Sequence, residues 1–245
     1  MPPRLSVILP LFNEARTLGE IVARIRRTGL AHEIVAIDDA STDASPALLQ
    51  ELKQQPGAPL HVIRHPANRG KGGGIRTGLA VVTGNLVVIQ DADLEYDPAD
   101  YPALLAPFAD PAVQVVYGSR NLQRNPRSSQ AFYWGGRLVS WAANALYGSR
   151  LTDIATGYKI FRTPLLCELP LATDGFEFCP EVTAWLLRRK IRIVEVPISY
   201  RPRSRAEGKK IRMRDGFTAL WTLARLRFRR SPQKQAAWPS PAGHR

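Results

Sequence analysis

Residues 86–93 read Leu-Val-Val-Ile-Gln-Asp-Ala-Asp, an aliphatic run that ends in two carboxylates. The run is typical of a strand that is buried on both faces of a sheet. Two carboxylates just past such a strand can share a hard cation such as Mg²⁺ or Mn²⁺, because these ions prefer oxygen ligands. We therefore predict a metal site at Asp91 and Asp93, with Glu95 as a further ligand. A solvated acidic turn before Pro98 is the alternative, so the surrounding sequence has to decide.

The first 120 residues alternate strand-like and helix-like patterns around this run. The strands are continuous apolar stretches, and the segments between them carry apolar residues at helical spacing. Such alternation predicts an α/β fold in which helices cover both faces of a mostly parallel central sheet. The predicted strands are residues 5–9, 33–38, 60–63, 86–89 and 113–117, and the predicted helices are residues 17–27, 74–82, 99–108 and one that opens at Ser45.

Polar clusters follow three of the predicted strands, at residues 13–14, 38–39 and 91–93. Because ligands bind beyond the carboxyl ends of the strands in parallel sheets, we expect these clusters to meet at one edge. A carboxylate after the second strand can accept a hydrogen bond from a ribose or a nucleobase. Capping of the next helix by Ser41 or Asp43 is the alternative interpretation of that cluster.

A glycine-rich basic segment, residues 68–74, reads Asn-Arg-Gly-Lys-Gly-Gly-Gly and opens a predicted helix. Free backbone amides together with Arg69 and Lys71 suit a phosphate group. The segment does not fit a dinucleotide-binding fingerprint, because Ile75 stands where the third glycine is required. It does not fit a P-loop either, because His65 stands where the first glycine is required. Dinucleotide-dependent hydride transfer and P-loop ATP hydrolysis are therefore disfavoured.

The second half of the chain is less regular and strongly basic. Residues 188–230 hold 15 Lys and Arg against 3 Asp and Glu, which accounts for nearly all of the net charge of +13. Such a block implies an anionic partner such as phosphates, anionic lipid or nucleic acid. Helices are predicted at residues 132–147, 178–189 and 214–230, a strand at 192–200, a loop at 201–210 and a disordered tail at 231–245.

The two cysteines, Cys167 and Cys179, belong to no paired metal-ligand pattern, so neither a disulfide framework nor a zinc site is predicted. This cysteine usage fits a reducing cytosol. No stretch reaches the roughly 18 apolar residues of a membrane-spanning helix, and the short apolar run after Arg4 lacks the features of a signal peptide. The sequence predicts a cytoplasmic protein, with peripheral attachment to the inner face of the membrane as a further expectation.

Four motifs together resemble family 2 glycosyltransferases with the GT-A fold, in both order and spacing. They are Pro10-Leu11-Phe12-Asn13-Glu14, Asp38-Asp39-Ala40-Ser41-Thr42-Asp43, Asn68-Arg69-Gly70-Lys71-Gly72 and Asp91-Ala92-Asp93. The second half looks like the branch typified by dolichyl-phosphate mannose synthase, through residues 117–120, 153–159, 176–178, 181 and 200–211. The resemblance implies a single catalytic domain over residues 1–230, with a nucleotide-sugar-binding half at 1–120 and an acceptor half at 121–230.

The resemblance also implies roles for individual residues. Those that would bind the nucleotide sugar are Pro10, Leu11, Asn13, Glu14, Asp38, Asp39, Lys71, Asp91, Ala92 and Asp93. Those that would hold Mg²⁺ or Mn²⁺ are Asp91, Asp93 and Glu95, and those that would bind the acceptor phosphate are Arg120, Arg201, Arg203 and Lys209. The implied catalytic residues are Asp91, Asp93, Arg120 and Arg201.

The activity implied is an inverting transfer of a hexose from a nucleotide-diphosphate sugar to a polyprenyl or dolichyl phosphate at a membrane surface. A hydroxyl acceptor needs a general base, whereas a lipid phosphate is already an anion and needs only cations to hold it. The basic loop at residues 201–214 supplies such cations, unless it is only a solvated charge run. Aromatic residues of the 132–147 helix can shelter a polyprenyl chain, and the final helix can lie on anionic lipid. Packing in the core is the alternative for both helices.

Two other functions compete with this one. A transferase of the same fold can use a saccharide or peptide hydroxyl as acceptor, with Asp153 or Glu181 as the base. A non-enzymatic nucleic-acid or membrane binder can be driven by the basic block alone. That binder leaves the acidic clusters unexplained, and acidic clusters repel nucleic acid, so no nucleic-acid partner is expected.

Overall fold

The strands and helices follow one another in an order close to the predicted alternation. The computed structural model describes residues 3–127, 129–203 and 213–229. Its strands are β1 (Leu5–Leu11), β2 (Ala31–Asp38), β3 (Leu60–Arg64), β4 (Leu86–Ile89), β5 (Val115–Ser119), β6 (Lys159–Arg162) and β7 (Ile193–Pro197). Its helices are α1 (Ala15–Arg27), α2 (Ser45–Lys53), α3 (Gly70–Leu79), α4 (Tyr101–Leu105), α5 (Gln130–Tyr147), α6 (Thr163–Cys167), α7 (Phe178–Arg188) and α8 (Met213–Phe228).

These strands form one sheet in the order β3-β2-β1-β4-β6-β5-β7. β1 pairs in parallel with β2 and β4, β2 with β3, and β5 with β7. β6 runs antiparallel to both of its neighbours, β4 and β5. In this register Val7 of β1 lies opposite Ile34 on one side and Val88 on the other. The mostly parallel sheet confirms the predicted α/β fold class.

Apolar side chains pack on both faces of the sheet, because successive residues of a strand point to opposite sides. On one face, buried side chains such as Ile8 and Phe161 pack with residues of α3, α5, α7 and α8. On the other face, Val7 and Ile160 pack with residues of α1, α2 and α4. The predicted covering of both faces by helices is therefore confirmed.

The chain turns sharply after β1, β2 and β4, at the edge where these parallel strands end. Asn13, Ala40 and Leu94 adopt the left-handed backbone conformation, with φ of 53°, 62° and 61°. This conformation costs a residue with a side chain on the order of 1 kcal/mol, so tertiary contacts must hold the turns. As a result, the polar clusters that follow the three strands lie at the same edge of the sheet.

β6 and the start of α3 differ from the sequence prediction. No strand is predicted at Lys159–Arg162, yet these residues form β6 between β4 and β5. The strand is only four residues long and begins and ends with cations, so no continuous apolar run marks it. α3 begins at Gly70 rather than near Gly74. A side chain at Gly70 would collide with the backbone of Asp174, so glycine lets this first turn pack against the neighbouring loop.

The C-terminal part of the prediction is only partly described. The predicted helix at residues 214–230 corresponds to α8, which the structure describes from Met213 to Phe228. The predicted tail at 231–245 and residues 204–212 of the basic loop lie outside the described residues. Within the described ranges, no helix combines the length and apolar character that crossing a membrane requires. The division into one donor half and one acceptor half stays a prediction.

Candidate active site

A cavity of about 770 Å³ opens at the edge where β1 and β4 end. Strand ends and the start of α3 supply one part of its lining, which carries carboxylates. Residues 120–137 supply another part, which carries arginines. The first turns of α8, the loop before β6, the start of α7 and the segment after β7 also contribute to the lining. We call Glu14, Asp39, Asp91, Asp93 and Glu95 the acidic wall, and Arg120, Arg124, Arg127 and Arg137 the basic wall.

Cations of the chain itself contact three carboxylates of the acidic wall. The Nζ atom of Lys71 lies 2.5 Å from Oδ1 of Asp91. The guanidinium of Arg203 reaches Oε2 of Glu14 at 3.0 Å and Oδ2 of Asp93 at 3.1 Å. Burial, together with the charges of Asp91 and Glu95, raises the pKa of Asp93 to about 7. Asp93 therefore gives up its proton less readily than an exposed aspartate, and the charge of Arg203 counters part of this effect.

Asp91 and Asp93 fit a divalent cation better than Glu95 does. Both aspartates line the cavity and supply the oxygen ligands that Mg²⁺ and Mn²⁺ prefer. Glu95 is engaged elsewhere: its Oε2 accepts from the hydroxyl of Tyr200 at 2.8 Å, and its Oε1 accepts from the amide of Arg203 at 2.7 Å. Within the described residues no three acidic, His or Cys side chains are gathered as a metal site. The metal-binding role of all three residues stays a prediction.

Gly157 keeps space for the carboxylate of Asp91. A side chain at this position would overlap Oδ2 of Asp91 and the ring of Tyr96. The amide of Gly157 also donates to the hydroxyl of Tyr96 at 2.8 Å, which fixes the loop before β6. The motif at residues 153–159 therefore contributes to the acidic wall from the opposite half of the chain.

Asp39 closes the start of α3 instead of pointing freely into the cavity. Its Oδ1 accepts from the amide of Arg69 at 2.8 Å, and its Oδ2 accepts from the amide of Gly70 at 2.7 Å. The amide of Gly73 donates to the carbonyl of Asp174 at 3.1 Å. The expectation that this glycine-rich segment offers free amides to a phosphate is therefore wrong at these three positions. The segment lines the cavity through Asn68, Gly70 and Lys71, and Lys71 supplies its positive charge there.

Asn13 and Asp38 brace the loop after β2. Oδ1 of Asn13 accepts from the amide of Thr42 at 2.8 Å. Oδ1 of the buried Asp38 accepts from the amide of Ser41 at 2.9 Å, and its Oδ2 lies 3.2 Å from Nε of Arg64. Neither Asn13 nor Asp38 is among the residues that line the cavity, and their nucleotide-binding role stays a prediction. The other residues of that predicted set do line it: Pro10, Leu11, Glu14, Asp39, Lys71, Asp91, Ala92 and Asp93.

Arg120 is the only one of the four predicted phosphate-binding cations that the described residues place in the basic wall. Its guanidinium grips the buried Asp153 with two hydrogen bonds, Nε to Oδ2 at 2.7 Å and Nη2 to Oδ1 at 2.8 Å. Burial would raise the pKa of Asp153, but the charge and hydrogen bonds of Arg120, together with the charge of Lys159, hold that pKa below its usual range. The guanidinium also lies over the ring of Tyr200, 5.0 Å from its centroid.

The other three predicted phosphate-binding residues lie in different surroundings. Arg201 is exposed and is not among the residues that line this cavity; its amide donates to the carbonyl of Glu95 at 2.9 Å. Arg203 lines the cavity, but it pairs with the acidic wall rather than adding to the basic wall. Lys209 lies outside the described residues. The phosphate-binding role of all three stays a prediction.

Sequence reasoning missed three residues of the basic wall and one buried lysine. Arg124, Arg127 and Arg137 line the cavity, and no acidic residue occurs between Asp110 and Asp153. This excess of positive charge between Asp110 and Asp153 could have indicated an anion-binding segment, but the larger basic block after residue 188 drew attention away from it.

The missed lysine, Lys159, is fully buried in β6. Its Nζ donates to the carbonyl of Ile154 at 3.2 Å and lies 4.5 Å from the ring centroid of Tyr117. Burial lowers its pKa. Lys159 therefore fixes the loop that carries Asp153 and Gly157.

Comparison with known proteins finds one family model and several relatives that match this chain. The family model for glycosyl transferase family 2 matches residues 6–164. Dodecaprenyl-phosphate galacturonate synthase of Rhizobium johnstonii is 24% identical over 213 residues, which cover 84% of this chain and 61% of the relative. Dolichol-phosphate mannosyltransferase of Pyrococcus furiosus is 29% identical over 215 residues, which cover 84% of this chain and 59% of the relative. The chain thus spans about three fifths of the length of these relatives.

Solved structures share the fold. Glucosyl-3-phosphoglycerate synthase of Mycobacterium tuberculosis in complex with UDP superposes with a TM-score of 0.71 at 21% identity, covering 92% of this chain and 80% of that one. Mannosyl-3-phosphoglycerate synthase of Rubrobacter xylanophilus gives a TM-score of 0.72 at 20% identity, covering 91% and 72%. The mycobacterial enzyme was also crystallised with UDP together with Mn²⁺ or Mg²⁺.

Proposed function

This chain belongs to glycosyl transferase family 2, and from that membership we propose that it transfers a hexose, with inversion, from a nucleotide-diphosphate sugar to a polyprenyl or dolichyl phosphate. The observation that carries the proposal is the single cavity in which an acidic wall and a basic wall meet. Relatives named for dodecaprenyl-phosphate and dolichol-phosphate support the class of acceptor. We propose that transfer takes place on the cytoplasmic side, at a membrane surface.

The acidic wall suits the donor. Asp91 and Asp93 fit a cation that would neutralise the diphosphate as it leaves, and Lys71 adds a positive charge beside Asp91. Pro10 and Leu11 of β1 supply an apolar side to the same part of the cavity. The nucleotide diphosphate would therefore lie along the ends of β1 and β4, with its phosphates toward Lys71.

The basic wall suits an acceptor that is already an anion. An oxygen of the acceptor phosphate attacks the anomeric carbon, and the bond from that carbon to the diphosphate oxygen breaks. The phosphate oxygen carries no proton at neutral pH, so the step needs no base. The work left to the protein is to position the phosphate and to offset its charge, which Arg124, Arg127 and Arg137 are placed to do.

The geometry disfavours a hydroxyl acceptor. Asp153, one of the two bases predicted for such a reaction, is held ionised by Arg120, and its lowered pKa makes it a poor proton acceptor. Glu181, the other, accepts from the amides of Ala172 and Thr173, each at 3.0 Å, and does not line the cavity. Asp153 lines the cavity but is paired with Arg120, and Glu181 lies outside the lining, so neither carboxylate is suited to deprotonate a sugar or peptide hydroxyl.

A partition assay tests the proposal. Purified protein is incubated with Mn²⁺, a panel of radiolabelled nucleotide sugars and one polyprenyl phosphate, and the label is counted in the organic phase. We expect one donor to transfer label only when the polyprenyl phosphate is present. Transfer of label to a saccharide or peptide without the lipid, or no transfer from any donor, would contradict the proposal.

A further inference from the structure

Exposed hydrophobic side chains are concentrated on α5 and α8. Of the ten large hydrophobic residues that are exposed in the described part of the chain, six lie on these two helices. Their exposed fractions range from 50% for Leu138 to 79% for Phe228. The six are Trp134, Leu138 and Trp141 on α5, and Phe217, Trp221 and Phe228 on α8. We call them the apolar stripe pair.

Each stripe follows from the helical repeat. On α5 the exposed residues recur after four and then three positions, and on α8 Trp221 follows Phe217 by four, so each set lies along one face. The opposite faces of both helices enter the same core, through Val139 of α5 and Leu223 of α8. The exposed stripes therefore point away from the body of the protein.

The two helices form one surface because they are joined side by side. The hydroxyl of Tyr147, at the end of α5, donates to the carbonyl of Leu223 in α8 at 2.7 Å. Nε of Arg227 in α8 donates back to the carbonyl of Leu146 at 2.8 Å. Their opposite ends meet the cavity, since Arg137 of α5 and Gly216 of α8 both line it. The stripe pair is thus adjacent to the cavity.

The charges around the stripe pair define the partner. α5 contains no acidic residue, and α8 contains one, Asp215. Exposed arginines accompany the stripes at Arg137, Arg214 and Arg225. Tryptophan with arginine on one face of a helix is typical of helices that lie in the headgroup region of an anionic bilayer. A second copy of the chain fits this face less well, because it would bring arginines against arginines.

We propose that the exposed faces of α5 and α8 seat the protein on an anionic lipid bilayer and hold the cavity beside it. This inference rests on the proposed function in one respect, that the acceptor is a lipid phosphate. The tryptophans would lie among the headgroups, and the arginines would contact lipid phosphates. A lipid phosphate could then enter the basic wall without leaving the membrane surface, because Arg137 belongs to both surfaces.

Vesicle sedimentation tests the surface. The whole chain is mixed with vesicles of phosphatidylcholine alone and with vesicles that also contain phosphatidylglycerol. We expect binding to the anionic vesicles that weakens with salt. The double variant Trp141→Ser/Trp221→Ser should bind at least about tenfold more weakly, because each indole buries a large apolar area.

A matched pair of aliphatic variants provides the control. Leu138→Ala removes a residue of the stripe pair, whereas Val81→Ala removes one of similar exposure, 43%, that follows α3 at the opposite edge of the sheet. Only Leu138→Ala should weaken vesicle binding, and circular dichroism melting curves should show that all variants fold. Wild-type protein that ignores anionic vesicles, or a double variant that binds like wild type, would overturn the inference. So would a dimer that the tryptophan substitutions dissociate without changing vesicle binding.

Transfer assays separate this inference from the proposed function. With the acceptor dissolved in detergent, the double variant should transfer sugar like wild type, since neither tryptophan lines the cavity. With the acceptor embedded in anionic vesicles, its rate should fall about tenfold, in parallel with its loss of binding. Vesicle binding without any transfer would leave the surface in place and refute the proposed function. If wild type and the double variant transferred sugar to the embedded acceptor at equal rates, the proposed membrane-binding surface would be refuted.

Discussion

The acidic and basic walls of the cavity are built in opposite ways. Carboxylates of the acidic wall stand at strand ends, and groups of the chain itself contact them, as Lys71 contacts Asp91 and Arg203 contacts Asp93. Among the described residues, Arg120 is the one member of the basic wall that pairs with a buried carboxylate, while Arg124 and Arg127 are exposed. The difference suggests a division of labour. Rigid strands hold like charges close together, and exposed arginines on a loop and helix meet a ligand that arrives from outside.

Removing one carboxylate from the acidic wall should have the largest effect. We expect Asp91→Asn to lower transfer about a thousandfold, because both the predicted cation and Lys71 lose their partner. The measurement is the rate of label transfer to polyprenyl phosphate, with the melting temperature as a check on folding. Asp110→Asn, which alters a carboxylate in an exposed turn, is the matched control and should leave the rate unchanged. If Asp91→Asn kept full activity, the predicted role of Asp91 as a metal ligand would be refuted.

Removing one cation from the basic wall should have a smaller and more selective effect. We expect Arg127→Gln to raise the KM for polyprenyl phosphate about tenfold, through loss of a charge-assisted hydrogen bond, with the nucleotide affinity unchanged. The matched variant is Arg201→Gln, since Arg201 is exposed but does not line the cavity. Steady-state kinetics on both variants shows whether Arg127 or Arg201 contributes more to binding of the acceptor. A larger effect at Arg201 would mean that the residue approaches the acceptor in the working enzyme.

A substitution at the opposite edge of the sheet, where β2 begins, should lower stability and leave activity unchanged. Glu33 of β2 accepts from the hydroxyl of Ser6 at 2.5 Å and from the amide of Thr83 at 2.6 Å. Burial would raise the pKa of Glu33, but these hydrogen bonds outweigh it and hold the pKa below its ordinary value. Glu33→Gln should therefore lower the free energy of unfolding by about 1 to 2 kcal/mol at neutral pH.

The pH dependence follows from the lowered pKa. A carboxylate with a lowered folded pKa stabilises the protein above its ordinary value of 4.5 and loses that contribution as the pH falls below it. The difference between wild type and Glu33→Gln should therefore shrink in acid, as measured by urea unfolding at several pH values. Glu51→Gln, on the exposed face of α2, is the control. If the difference in the free energy of unfolding between wild type and Glu33→Gln stayed constant at all pH values, ionisation of Glu33 would not be its cause.

The fold could be predicted because its strands are buried on both faces. Runs such as Leu86–Ile89 read as continuous apolar stretches, and the parallel arrangement then puts the ends of β1, β2 and β4 at one edge. β6 escaped prediction because its buried Lys159 is solvated by carbonyl groups of its own loop, a tertiary effect that no local pattern reports. A buried strand can therefore be predicted from the sequence when its buried side chains are apolar. It cannot be predicted in this way when a buried side chain is charged, as in β6.

The candidate site could be predicted only to the level of which residues reach the sheet edge. The direction in which each side chain points depends on partners distant in sequence. Asp39 accepts from the amides of Arg69 and Gly70, whereas Asp38 contacts Ser41 and Arg64, although the two aspartates are adjacent at the end of β2. The cavity position of Arg127 and Arg137 depends on the path of the segment before α5, which carries no periodic signal.

Lys71 and Arg203 have a consequence for how the protein can be handled. In many metalloproteins the site folds only around its ion, so chelation unfolds the chain. Here two side chains of the same polypeptide contact three carboxylates, Asp91, Asp93 and Glu14, and offset part of their negative charge. We therefore expect folding not to depend on metal supply, and protein purified through a chelator should be intact. The amount of metal found in the purified protein would then depend on how the protein was prepared. It would not show whether the transfer reaction requires a metal.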